Sequence, residues 1–130
     1  MATATHPTCQ ILVADRNPHI RAFLKRELTA SGYTVRPVAT GKDLLKAIFS
    51  PEPIDLLVLD PDFPGSDPAD IARRLADRIP ALPVIIYTIP DSDSVSDAFP
   101  GHAFRVDKNG QSVERLKETI RHMLSNIDRL

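Results

Sequence analysis

Four residues in this sequence are of types that together could receive a phosphoryl group: Asp15, Asp60, Thr88 and Lys108. Each ends a short stretch that reads as a strand: ILVA before Asp15, IDLLVL before Asp60, VIIY before Thr88, and AFRVD before Lys108. A carboxylate is a competent nucleophile for forming an aspartyl phosphate. The transferred group carries its charge on oxygens and needs positioning and cations more than covalent help. A lysine ammonium pairs with one such oxygen as a point charge, and a threonine hydroxyl donates to another. Asp15 and Asp60, with Asp62 through its backbone carbonyl or side chain, offer the oxygen ligands that a hydrated Mg²⁺ takes. Asp60 by itself would read as a solvated turn aspartate; the other three positions give it this chemistry.

These residues need elements that bring them to one edge. Ile11–Ala14 reads as a buried strand. Asn17 and Pro18 then start a helix, with Ile20, Phe23, Leu24 and Leu28 at helical spacing and Ser31-Gly32 as its stop. Tyr33–Val38 is a second strand, and Pro37 suggests an edge position. Thr40 caps a short helix carrying Leu44, Leu45, Ile48 and Phe49, ended by Pro51 and Pro53. The run Ile54–Leu59 is short, apolar except for Asp55, and suits a strand buried on both faces. Asp67-Pro68 opens a helix with Ile71, Leu75 and Ile79 on one side. Val84–Thr88 is the fourth strand and Ala103–Asp107 the fifth. The intervening DSDSVSD segment is rich in residues that compete with helical hydrogen bonds, so the expectation is a weak fourth helix or a loop. Val113, Leu116, Ile120, Met123, Leu124 and Ile127 form a final amphipathic helix, with Ser112 as a plausible cap.

A strand–helix unit repeated along the chain favours an α/β fold with a parallel sheet and helices on both faces. The expectation is a flavodoxin-like doubly wound sheet of five parallel strands in order 2-1-3-4-5. In such sheets ligands bind beyond the carboxyl ends of the strands. Residues 1–9 read as a tail and residues 10–130 as a single domain.

Composition narrows the classes. Of 130 residues, 42% are hydrophobic and 25% charged, an ordinary globular balance. The 16 Lys+Arg and 17 Asp+Glu leave a net charge of −1, which gives no electrostatic case for direct nucleic acid or anionic membrane binding. One cysteine, Cys9, excludes an intrachain disulfide and fits a reducing, cytoplasmic setting. No signal peptide and no apolar run of membrane-spanning length is visible. His6, His19, His102 and His122 lack metal-ligand spacing, and no Gly-rich phosphate loop is present.

The stretches ILVADRNPHIRAFL, DLLVLDPDFPG, PVIIYT and VDK, in this order and at these spacings, resemble the receiver domain of bacterial two-component response regulators, the CheY-like family. The resemblance covers residue 10 to about residue 127. It implies that Asp60 takes a phosphoryl group from a histidine kinase or phosphotransfer protein in a phosphorelay. It implies that Thr88 and Lys108 contact the phosphate. It implies output to a downstream protein through the face made by the fourth helix, fifth strand and fifth helix. The module is a switch and not an enzyme.

The sequence departs from the family pattern in several places. The family has two consecutive acids after its first strand; here the pair is Asp15-Arg16. The second acid is normally a direct Mg²⁺ ligand, so Arg16 should weaken metal binding. Arg16 either pairs with Asp60 or Asp62 and stands in for the metal, or points to solvent. The family's aromatic switch position holds Arg105, next to Phe104, and Asn109 replaces the proline that follows the lysine. The DSDSVSD segment is also shorter and more polar than the family's fourth helix, and with Arg16 and Arg105 it supports an alternative, a degenerate pseudo-receiver acting as a phosphorylation-independent interaction module. A third class, a flavodoxin-like enzyme or cofactor binder, would need a roomy apolar pocket at the strand ends.

Overall fold

The computed structural model describes residues 9–60, 68–77, 82–88, 103–108 and 112–128. The elements are β1 (Gln10–Ala14), α1 (Pro18–Ala30), β2 (Thr34–Val38), α2 (Gly41–Ile48), β3 (Leu56–Leu59), α3 (Pro68–Asp77), β4 (Val84–Thr88), β5 (Ala103–Asp107) and α4 (Ser112–Asp128). The expected turn at Asp62, the DSDSVSD segment, Ile79 and Asn109 lie outside the described residues.

The five strands are parallel and ordered β2-β1-β3-β4-β5, as the sequence implies. Two-residue periodicity sorts the strand side chains to opposite faces. Ile11 and Val13 of β1, Leu56 and Val58 of β3, and Ile85 and Tyr87 of β4 pack with Leu24 and Leu28 of α1 and Leu116, Ile120, Met123 and Leu124 of α4. Their alternates Leu12, Leu57, Leu59, Val84 and Ile86 pack with Leu44, Ala47 and Ile48 of α2 and Ile71 and Leu75 of α3. Helices thus cover both faces, and the inner strands must be apolar on both sides. Pro37 sits on β2, the edge strand, where a missing N–H costs no ladder bond on the open side. Among the described residues, no helix is long and apolar enough to cross a membrane.

Local signals fix the helix ends. Asn17 adopts an extended backbone and its side chain accepts from the His19 N–H at 2.8 Å. Replacing it with Ala should destabilise the chain by about 1 kcal/mol, the usual worth of such a cap. Thermal denaturation followed by circular dichroism should show a fall of about 3–5 °C. At the other end of α1, Tyr33 N–H donates to Leu28 O and Gly32 N–H to Thr29 O. That reciprocal closure needs a left-handed residue, and Gly32 supplies it at φ +101°. Thr40 caps α2 by accepting from Asp43 N–H. Phe49 departs from expectation: the helix ends one residue before it, so it lies at the C-cap of α2 and is 53% exposed.

Candidate functional site

The strand ends are tied together by backbone hydrogen bonds. Asp60 N–H donates to Ala14 O at 2.8 Å, and Lys108 N–H to Thr88 O at 2.6 Å. β1, β3, β4 and β5 run side by side, so their carboxyl ends bring Asp15, Asp60, Thr88 and Lys108 to one edge. Asp15, Asp60 and Thr88 are the buried polar or charged residues among those described, at 1%, 2% and 3% exposure. Burying two aspartates costs solvation that only partners return, and the partners are specific.

Asp60 Oδ2 accepts the backbone N–H of Arg16 at 3.2 Å, and the Arg16 Nε lies 3.5 Å from the same oxygen. Of the two readings the sequence left open for Arg16, the structure takes the pair with Asp60. Asp15 Oδ1 accepts the Asn17 N–H at 2.9 Å. Lys108 Nζ is 2.9 Å from Asp15 Oδ2 and 5.4 Å from the centroid of the Tyr87 ring. The ammonium meets that buried oxygen as an ion pair. Asp62 lies outside the described residues.

Arg21 is a contributor that the sequence reading missed. Its guanidinium donates to the Asp15 carbonyl at 2.7 Å, fixing the loop between β1 and α1 from one helical turn away. The one sequence signal was its place in the first turn of α1, on the side that faces back to residue 15. Arg105, at the family's switch position, pairs with Asp107 on its own strand and is exposed.

Burial pushes the Asp15 carboxyl above its ordinary value of 3.8, and Asp60 nearby adds to the rise; the Asn17 N–H and Lys108 oppose it without cancelling it. Asp15→Asn, which cannot ionise, should therefore lose the pH dependence this carboxyl contributes, while leaving Lys108 without its carboxylate partner. Between 3.8 and the raised value the folded chain binds the extra proton, so stability falls as pH rises through that window. The Asp15→Asn chain should lack this fall, and below 3.8, where Asp15 is protonated folded or unfolded, the two profiles should run parallel. Urea midpoints of the two proteins at neutral and acidic pH check both the sign and the window.

Residues 11–121 match the family described as the response regulator receiver domain. The chain belongs to that family. The receiver is 38% identical over 85 residues to the response regulator MprA of Mycobacterium ulcerans, covering 65% of this chain and 36% of MprA. It is 35% identical over 95 residues to the DNA-binding transcriptional regulator NtrC of Escherichia coli K12, covering 72% of this chain and 20% of NtrC. The chain thus matches well under half the length of either relative. Among solved structures, it is similar to the response regulator TrrA in complex with the histidine kinase ThkA, at 30% identity and a TM-score of 0.74, covering 90% of this chain and 99% of that one. TrrA from Thermotoga maritima in complex with Mg(2+)-BeF matches at 29% identity and a TM-score of 0.73, covering 89% of this receiver and 99% of that chain.

Among the described residues, the two carboxylates at this edge are each already met by a cation. Among those described, no group of three or more His, Cys, Asp or Glu converges. Asp15 Oδ2 is a buried oxygen of the kind a hard cation takes, but Lys108 already pairs with it, and Arg16 with Asp60. Among the described residues, these two aspartates and two cations balance in formal charge. A further cation ~4 Å from the guanidinium would meet about 4 kcal/mol of repulsion per unit charge near a protein surface.

Proposed function

We propose that this receiver accepts a phosphoryl group on Asp60 from a histidine kinase or phosphotransfer protein. The observation that carries the reading is a nearly fully buried carboxylate at the end of the central strand β3, with Arg16 on one of its oxygens. Burial strips water from the nucleophile, and the flanking cations meet the charge that arrives with the phosphoryl group. Thr88 and Lys108 contact the bound phosphate. For Lys108 this means leaving Asp15, which its part-exposed side chain allows. Phosphate thereby stabilises one of two conformations of the β4–β5 edge. A downstream protein reads the change on the face made by the segment between β4 and β5, by β5 and by α4. Mg²⁺, assigned by the family pattern to Asp15, Asp60 and Asp62, binds weakly because of Arg16.

The domain spans residues 10–130, works in the cytoplasm, has no enzymatic turnover of its own and makes no direct contact with nucleic acid; the net charge of −1 supports the last point. The test is incubation with acetyl phosphate or a phosphorylated histidine kinase, followed by intact-mass and peptide mass spectrometry. One phosphoryl group on the peptide containing Asp60 is the expected result. An unlabelled chain under every donor would end the reading in favour of a phosphorylation-independent interaction module.

A further inference from the structure

Resting on the phosphoacceptor reading, we infer that Arg16 is the phosphoryl-binding cation of this site, and that it makes phosphoryl uptake independent of divalent metal. Three observations on the molecule converge on it.

The first is position. Arg16 touches the reacting group itself: its backbone N–H and its Nε both face Asp60 Oδ2, at 3.2 Å and 3.5 Å. The second is reach. Its side chain is 47% exposed while Asp60 is 2% exposed, so the guanidinium spans from the buried nucleophile to solvent. It stands beside the nucleophile on the side open to solvent. A guanidinium presents donors in a rigid fork that matches phosphate oxygens two at a time. The third is charge. Among the described residues, Asp15 is met by Lys108 and Asp60 by Arg16, so each buried carboxylate has a cation beside it without a metal. A phosphoryl donor therefore finds a cation in place beside the nucleophile, where a divalent ion would have to share the carboxylates with Arg16 and Lys108.

With acetyl phosphate the step balances without a metal or a proton. One Asp60 carboxylate oxygen forms a bond to phosphorus as the phosphorus–oxygen bond to acetate breaks. Acetate leaves with that electron pair, and Arg16 holds two of the transferred oxygens. Arg21 keeps the loop carrying Arg16 in place through the Asp15 carbonyl.

The experiment measures the rate of Asp60 labelling by acetyl phosphate in excess EDTA and in excess Mg²⁺, read by intact mass, for the parent chain and for Arg16→Ala, Arg16→Lys and Arg16→Asp. The parent chain should label equally fast in both. Arg16→Ala should lose about 100-fold of the EDTA rate, the usual loss for one donor aimed at developing negative charge. Arg16→Lys should keep part of that rate as a point charge. Arg16→Asp should label only in Mg²⁺. Position 16 lies between β1 and α1 and is exposed, and circular dichroism on each variant confirms the fold.

Loss of parental labelling in EDTA with recovery in Mg²⁺ would overturn the inference and leave the phosphoacceptor reading intact. A parent chain that never labels, beside an Arg16→Asp variant that labels in Mg²⁺, would also overturn it, Arg16 then being a block. If neither protein labels in either condition, the phosphoacceptor reading itself fails.

Discussion

Asp60→Asn is expected to take up no phosphoryl group from acetyl phosphate or a kinase, while melting at the same temperature as the parent chain or slightly above it. An amide has no nucleophilic oxygen of comparable strength, so the label should vanish entirely and not merely slow. The fold should survive because the change removes a buried charge and keeps the shape. What it sacrifices is an ion pair to the half-exposed Arg16, and such pairs contribute about 0–1 kcal/mol. The matched control is Asp55→Asn. Asp55 precedes the same strand at its opposite end, where its Oδ2 accepts the Gln10 N–H at 2.8 Å. It stands away from the reacting edge and should label normally. Peptide mass spectrometry on the three proteins decides the matter; label persisting in Asp60→Asn would place the acceptor elsewhere in the chain.

Leu57→Ala should cost about 3–4 kcal/mol of stability, in the middle of the range for deleting a fully buried leucine. Leu57 is 0% exposed, lies opposite Leu12 on β1 and Val84 on β4, and packs in the cluster that α2 and α3 cover. Backbone ladders on both sides hold β3 in place, so the surroundings cannot collapse into the space left behind. Against a total of about 5–15 kcal/mol for a domain of ordinary stability, that loss is large enough to lower the melting temperature by about 10 °C or more. Phe49→Ala is the contrast. Its ring is larger but 53% exposed, and its removal should move stability by less than about 1 kcal/mol. Urea denaturation of both variants measures the difference. A Leu57→Ala chain as stable as the parent would show that the α2–α3 face is not packed as described.

The elements and their order were legible because the signals that define them are local. The apolar runs before Asp15, Asp60 and Thr88 are short and uninterrupted enough to require cover on both faces, which a parallel sheet with helices on each side provides. Asn17, Thr40 and Gly32 act within a few residues of themselves, and each sits in the structure where its chemistry predicts. Pro37 announced an edge strand through the donor it lacks. Once the strand order is set, the carboxyl ends of β1, β3, β4 and β5 must share one edge, so the sequence by itself determined which residues could meet there. It also showed that position 16 carries a cation where an acid stands in the receiver pattern.

Only the tertiary structure decided which charge meets which. The sequence left Arg16 either on Asp60 or Asp62 or in solvent; its contact with Asp60 spans a separation of 44 residues and depends on the register of β1 against β3. The same is true of Lys108, whose ammonium rests on Asp15 and not on the nucleophile, and of Arg21, whose grip on the Asp15 carbonyl depends on how α1 leaves its sheet. Helix caps and strand runs are set by bonds to near neighbours along the chain. Ion pairs at a sheet edge are set by differences of an ångström or two between strands, and Coulomb energies in a partly buried site change steeply over that range.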